Sequence, residues 1–288
     1  SAWYPPLETL TRLAAETGDM SLATCMLVLP LFHPLHVAQQ AALLDIVSGG
    51  RFTFGVAPGW QEDEFRILGL DHSRRIGRYV ESLTLIKRLW MEERVDFSGK
   101  HFEADGLELA LKPVQQPRPP MWYGGSVAKA VERAARLSDT SLGDSWVASS
   151  HLTEEVITEQ AVLYQDTLKQ LGKPPPREFP LLRNIVVAPD RETALREAGP
   201  FLEASYRIFG QWGLFTNVVG SGKAQLDLEE LLAGRVIIGS PEECAEELVR
   251  LSRTTGFTRL IARIQWLGMD QRIVLRTIEL LAKEVRPL

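Results

Sequence analysis

The residues best able to do chemistry in this 288-residue chain sit where short apolar runs end. Gly124-Gly125-Ser126 follows the apolar run 119–123 and opens a helical run, 127–137. Such a turn offers bare backbone N–H groups and a hydroxyl at the positive end of a helix dipole, which suits a phosphate. Lys129, one turn on, adds a cation. The same residues also fit a plain turn with a serine N-cap. Ala57-Pro58-Gly59 ends another run, and small residues there let a flat ligand approach the backbone. His33, just before Pro34, is the acid–base candidate, because imidazole titrates near neutral pH; it fits a structural histidine equally well. His36, His72 and His101 read as surface residues. Cys25 reads as a small buried hydrophobe rather than a reactive thiol. Trp60, Trp146, Trp212, Phe215 and Trp266 could wall an apolar substrate, and each also suits an ordinary core. No HxxxH, HExxH, GxSxG or GxxxxGK[ST] pattern occurs, so no metal site or nucleophile elbow is expected.

These residues depend on the elements that carry them. Residues 21–30 form a near-continuous apolar run, read as a strand buried on both faces. Val37, Ala41, Leu44 and Val47 have helical spacing over 36–47, and Gly49-Gly50 ends that helix. Residues 51–57 are the next strand; 61–68 and 77–91 are helical. Residues 94–119 break the rhythm with the turn signals Ser98-Gly99 and Asp105-Gly106, as one or two hairpins would. A strand at 119–123, a weaker one near 140–147 and a helix at 153–171 follow. Residues 181–188 are a strand, and Asp190 caps a helix over 192–204. Residues 205–235, rich in glycine and aromatics, fit no repeat and read as an insertion serving as a lid or binding loop. Ser240-Pro241-Glu242-Glu243 is a capping box, followed by a strand at 259–265 and a helix at 270–285.

Repeated strand-then-helix units imply parallel strands joined by right-handed crossovers in one domain, 1–288. About six units are visible, where a closed barrel needs eight and a doubly wound sheet could use six. No GxGxxG links a strand to a helix, which disfavours a dinucleotide-binding fold. Hydrophobic residues make up 45% and charged residues 24% of the chain, as in globular proteins. The net charge of −5 argues against nucleic acid or an anionic membrane as partner. Two cysteines without a CxxC pair leave no disulfide framework, and no apolar run is long enough to span a membrane. A reducing cytoplasm is the default location.

The stretch from Ser48 to Phe65, SGGRFTFGVAPGWQEDEF, resembles the SGGRF–GW–EF hallmark of the bacterial luciferase-like monooxygenase superfamily. Four further segments agree in order. TCMLVLPLFHP at 24–34 is similar to the strand and HP turn before the hallmark. Arg75 and Glu81 fit its R-x-x-R-x-x-E helix. PVQQPRPPMWYGGS at 113–126 is similar to its P-x-x-Q-x-P segment ending in GGS. Ile238 to Glu243 matches the start of its final repeat.

The resemblance implies a (β/α)8 TIM barrel with an insertion, 205–235, before the last strand, and with the first barrel strands absent from this sequence. It implies that the Gly124-Gly125-Ser126 turn, with Lys129, holds a flavin phosphate, and that Arg75 reaches it, Arg74 and Arg78 being competitors. Thr24, Cys25 and Met26 align with the strand that supports the isoalloxazine ring, often through a non-proline cis peptide, and Ala57, Pro58 and Gly59 end the strand beside it. The implied activity is a monooxygenase in which reduced FMN from a separate reductase reacts with O2, through a flavin C4a-peroxide, to oxygenate a small organic substrate. Hydride transfer with a deazaflavin coenzyme is the alternative, and a silent flavin-binding protein a third. A homodimer is the family habit.

Overall fold

In the computed structural model, residues 4–211 and 232–286 are described. They divide into two compact units: Ser1–Gly125 with Arg133–Trp146 and Leu171–Arg177, and Ser126–Glu132 with Val147–Gln170 and Glu178–Leu288.

The first unit opens with helix α1 (Pro6–Ala14), which the sequence pattern did not suggest. The apolar run at 21–30, expected as one strand, is two short ones, β1 (Leu22–Ala23) and β2 (Leu27–Val28), joined by a cis peptide at Cys25–Met26. Both pair in parallel with β3 (Phe52–Ala57). Between them the Thr24 hydroxyl replaces the ladder: its Oγ1 donates to the Gly55 carbonyl (2.7 Å) and accepts from the Gly55 N–H (2.9 Å). Backbone groups left unpaired in a core are costly, so a side chain that satisfies both keeps the interruption tolerable. Gly55 is required by this approach, since a Cβ there would lie 1.8 Å from the Thr24 carbonyl oxygen.

Helix α2 (Pro34–Val47) begins two residues before the expected start and buries Val37, Ala41 and Leu44 as spaced. The hallmark residues after it are a folding device. Arg51 donates to the carbonyls of Ser48 (2.7 Å) and Ala14 (2.8 Å), tying β3 to the end of α1. Asp45, fully buried, accepts from the Gln115 backbone N–H (3.0 Å) and side-chain amide (2.6 Å). Helices α3 (Glu62–Ile67) and α4 (Arg75–Met91) follow. The excursion at 94–119 contains one hairpin, β4 (Val95–Ser98) with β5 (Glu103–Leu107), antiparallel. The Glu81 carboxylate caps its turn by accepting from the N–H groups of Lys100 (2.9 Å) and His101 (2.8 Å). Strand β6 (Met121–Gly124) pairs in parallel with β3 and leads to helix α5 (Ala128–Leu137) and strand β7 (Ser145–Val147), so the sheet order is β1-β3-β6-β7. Before β6 and β7 lies a buried ion pair, Arg118–Asp144, with both guanidinium arms at 2.8 Å. Asp144 also accepts from the backbone N–H groups of Met121 and Asp139 (2.9 Å each) and the Tyr123 hydroxyl (3.0 Å).

In the second unit, helix α6 (Glu154–Gln170) precedes strand β8 (Pro180–Val187). Helix α7 (Arg191–Gln211) runs past Pro200 into the segment expected to be irregular from residue 205. Strand β9 (Val236–Gly239) had no sequence signal of its own; four residues are too few for a period to register. Helix α8 (Pro241–Thr255) starts on the expected capping box: the Ser240 hydroxyl accepts from the Glu243 N–H (3.3 Å) while the Glu243 carboxylate accepts from the Ser240 N–H (2.8 Å). Strand β10 (Arg259–Arg263) and helix α9 (Gln271–Leu280) follow, and the helix runs on to Val285, as expected, through a π-helical segment, Leu281–Val285. The sheet order is β10-β8-β9, all parallel. Val186, Ala194, Ala198, Leu202, Trp266 and Val274 form its core with α7 and α9. Among the described residues no helix is long and apolar enough to cross a membrane.

Candidate cofactor site

Three strand ends of the first unit converge on one spot. A Cβ added to Gly124, at the end of β6, would lie 3.1 Å from both Met26 Cγ and Ala57 Cβ. Met26 follows the cis peptide and Ala57 ends β3, so three of the segments picked out by sequence meet here, with the Met26 side chain and Ala57 packed closely against Gly124. Thr24, buried and spent on the Gly55 backbone, holds the segment in place. Cys25 has exposed surface, yet burial pushes its thiol pKa up to about 12, which fits the unreactive side chain expected. Ala57, Pro58 and Gly59 are partly exposed at the strand end.

The cations sort themselves by their partners. Arg74 pairs with Asp71 (3.3 Å) in solvent. Arg78 donates to the Pro30 carbonyl (2.8 Å) and lies over the Phe102 ring (4.6 Å). Arg75 instead donates to the carbonyls of Gly59 (3.3 Å) and His72 (3.1 Å), which bring it to the strand end without a carboxylate partner among the described residues. Sequence reasoning missed Arg133, on α5. Burial foremost, together with the guanidinium of Arg75, holds Arg133 below its usual pKa range. Arg75 and Arg133, neither with a carboxylate partner among the described residues, are the groups here that suit an anion.

The Gly124-Gly125-Ser126 turn leads from β6 into α5. Its carbonyls are taken up by side chains: the Gly125 carbonyl accepts from the Trp146 indole (2.8 Å) and the Ser126 carbonyl from the Gln160 amide (2.9 Å). With the carbonyls occupied, the turn has its N–H groups to offer, as do the first residues of α5, which have no intrahelical acceptor. Trp146 is thus a fully buried support of the turn, not a substrate wall. Gln160 escaped notice because a lone glutamine in an amphipathic helix has no motif. Lys129 is exposed.

His33 is the N-cap of α2, its Nδ1 accepting from the Leu35 N–H (3.3 Å). The ring is exposed, and partial desolvation first, then His36 and Arg78, lower its pKa. The neutral ring therefore carries its proton on Nε2 and can donate there; its accepting nitrogen is already engaged. His72, expected at the surface, packs edge-on against Phe65 (5.1 Å), and its Nε2 is buried with no hydrogen-bond partner. Of the remaining aromatics, Trp60 is 41% exposed, Trp266 is buried in the second unit's core, and Trp212 and Phe215 lie outside the described residues. A histidine that sequence reasoning passed over, His151, follows β7; its Nδ1 is 2.8 Å from the Ser149 hydroxyl, and burial, then Arg235, lower its pKa to about 4. No cluster of potential metal ligands occurs among the described residues.

Comparison with known proteins agrees with this geometry. A family described as luciferase-like monooxygenase matches residues 2–259. A flavin-dependent trigonelline monooxygenase, oxygenase component, of Acinetobacter baylyi is 28% identical over 235 residues, covering 79% of this chain and 62% of that protein. The chain thus spans less than two thirds of that relative's length. The solved monooxygenase RslO1 from Streptomyces bottropensis superposes with a TM-score of 0.83 at 23% identity, over 98% of this chain and 82% of its own. The oxygenating constituent of 3,6-diketocamphane monooxygenase from Pseudomonas putida, solved with FMN, gives 0.80 at 19% identity, over 98% and 83%. The coenzyme F420-dependent tetrahydromethanopterin reductase of Methanopyrus kandleri gives 0.78 at 17% identity, over 99% and 87%. The fold is therefore the α/β fold of the luciferase-like TIM barrels, and the chain belongs to the luciferase-like monooxygenase family.

Proposed function

We propose that the chain is the oxygenase of a two-component flavin-dependent monooxygenase, using reduced FMN from a separate reductase and O2 to oxygenate a small organic substrate. The observation that carries this is the close approach of Met26, Ala57 and Gly124, on the segments that resemble the family's ring-binding strands, with Arg75 held at Gly59 two residues past Ala57. That cradle fits a flat ring system, and the unpaired cations Arg75 and Arg133 fit a phosphate. When bound, the flavin supplies the redox chemistry, one atom of O2 going to the substrate and the other to water. The protein's part is orientation. The Gly124-Gly125-Ser126 turn and Arg75 bind the phosphate end, with Trp146 and Gln160 fixing the turn. Thr24 holds the bare strand ends, and His33 presents an Nε2 proton as a donor.

The relative's name as an oxygenase component supports a separate reductase. Two F420-dependent neighbours, the reductase above and a secondary alcohol dehydrogenase, keep hydride transfer from a reduced deazaflavin as the competing activity. Anaerobic titration of the chain with reduced FMN and with reduced F420 separates them. Tighter binding of reduced FMN, followed by O2 consumption coupled to a reductase, is expected. Preferential binding of reduced F420, or no O2 uptake above free flavin, would overturn the proposal.

A further inference from the structure

The second unit holds a cation that no carboxylate among the described residues neutralises. Arg263 is the last residue of β10 and is half-buried. It stands in register with Asn184 of β8, so the two share a face of the sheet. On that face its guanidinium lies 5.6 Å from the Phe209 ring and 5.8 Å from the Trp266 ring. Burial lowers its pKa, only the Tyr206 hydroxyl opposes that, and no carboxylate of the described residues acts on it.

Two orphaned polar atoms accompany it. The Trp266 indole N–H is buried, in a residue 4% exposed, and has no acceptor. Asn184, 1% exposed, donates its amide to the Tyr206 hydroxyl (2.9 Å) while its Oδ1 has no donor. Arg183 and Arg235 also act on Tyr206, but these two have carboxylates of their own, Glu154 and Glu247 acting on Arg183 and Glu155 on Arg235. A desolvated guanidinium and an unsatisfied indole donor are each unfavourable alone, and both are relieved by one negatively charged acceptor. The aromatic rings favour the cation but cannot accept its hydrogen bonds.

We infer that Arg263 and the Trp266 indole N–H form a binding subsite for an organic carboxylate, with Phe209 and Trp266 flanking the ligand's apolar body and Asn184 Oδ1 available to a donor on it. That this ligand is the oxygenation substrate rests on the function proposed above; the binding itself does not. Arg263 and Trp266, which would hold the carboxylate, are at and just beyond the carboxyl end of β10, where barrels of this kind place their ligands.

Benzoate and its neutral isostere benzamide are the probes, titrated calorimetrically into the full chain without flavin. FMN binding to the same preparations is measured separately, so failure of the subsite and failure of the flavin site are read apart. Saturable benzoate binding, at least tenfold tighter than benzamide, is expected. Arg263→Gln should remove that preference while leaving FMN affinity within twofold. Trp266→Phe keeps an aromatic ring but removes the indole N–H together with part of the bicycle; it should weaken benzoate more than benzamide, since lost volume affects both probes and the lost N–H only the carboxylate, and it serves if Arg263→Gln folds poorly. Absence of saturable benzoate binding, equal binding of the two probes, or a preference that survives in Arg263→Gln and Trp266→Phe would overturn the subsite.

Discussion

His151 shows how a single group ties local environment to measurable behaviour. Its pKa falls to about 4 because burial and the Arg235 guanidinium both disfavour a charged ring. The folded state therefore binds the proton less readily than the unfolded chain. The stability it contributes is present above the unfolded pKa near 6.5 and is lost as the pH falls from there toward 4. The shift corresponds to at most about 3 kcal/mol. His151→Gln should flatten chemical-denaturation stability between pH 6.5 and 4 relative to the parent; a parent whose stability is level across that window would refute the assignment. His33 makes the opposite case. Its cap on α2 uses Nδ1, and His33→Asn keeps a capping acceptor while deleting the titration. Turnover within about twofold of the parent would confine His33 to capping, whereas a loss beyond tenfold, about 1.4 kcal/mol, would make its Nε2 proton part of the chemistry. At this scale the sequence was informative where a motif existed. The Gly-Gly-Ser turn and Arg75 were legible. Arg133 and Gln160 were not, since their importance comes from what the fold sets beside them.

The elements divide the family hallmark into parts that bind and parts that fold. Arg51, Asp45, Gln115 and Glu81 all spend their side chains on backbone or on one another, fixing helix ends and the hairpin turn. The buried Arg118–Asp144 pair does the same before β6 and β7, and Asp144 satisfies three further donors. Removing one member of such a pair leaves the other charged and unpaired, at a cost of about 3–5 kcal/mol. Asp144→Ala should lower the urea midpoint accordingly; a change below about 1 kcal/mol would mean that water reaches Arg118. Periodicity located α2, α4, α6 and α8 to within a few residues. It joined β1 and β2 because apolar character continues through Thr24–Met26 while the pairing does not: a threonine hydroxyl standing in for ladder groups leaves no trace in hydrophobicity. It ended α7 at 204 because the glycine- and aromatic-rich segment from 205 fits no repeat, although the helix continues to Gln211.

For the whole molecule, the proposed function requires an acidic chain, net −5, to hold a phosphate dianion. Net charge acts over a Debye length of about 8 Å in physiological salt, whereas a bound phosphate feels the groups touching it. In the proposed site, Arg75 and Arg133 then outweigh the average charge. Binding that favours the folded state stabilises it by about 2.7 kcal/mol at a hundredfold excess over Kd. For a chain of this size each kcal/mol moves Tm by about 2–4 °C, so FMN at that excess should raise Tm by roughly 5–10 °C. Arg75→Ala, at a partly exposed position, should leave the unliganded Tm nearly unchanged. At the same FMN concentration a tenfold weaker Kd removes about 1.4 kcal/mol, which halves the shift. Arg133→Ala should act in the same direction, and the double variant should lose more than either single one, since both guanidiniums address one anion. Thermal scans with and without FMN measure all of these. Full shifts in both single variants would detach the phosphate from these arginines and leave the Gly124-Gly125-Ser126 turn as its only anchor.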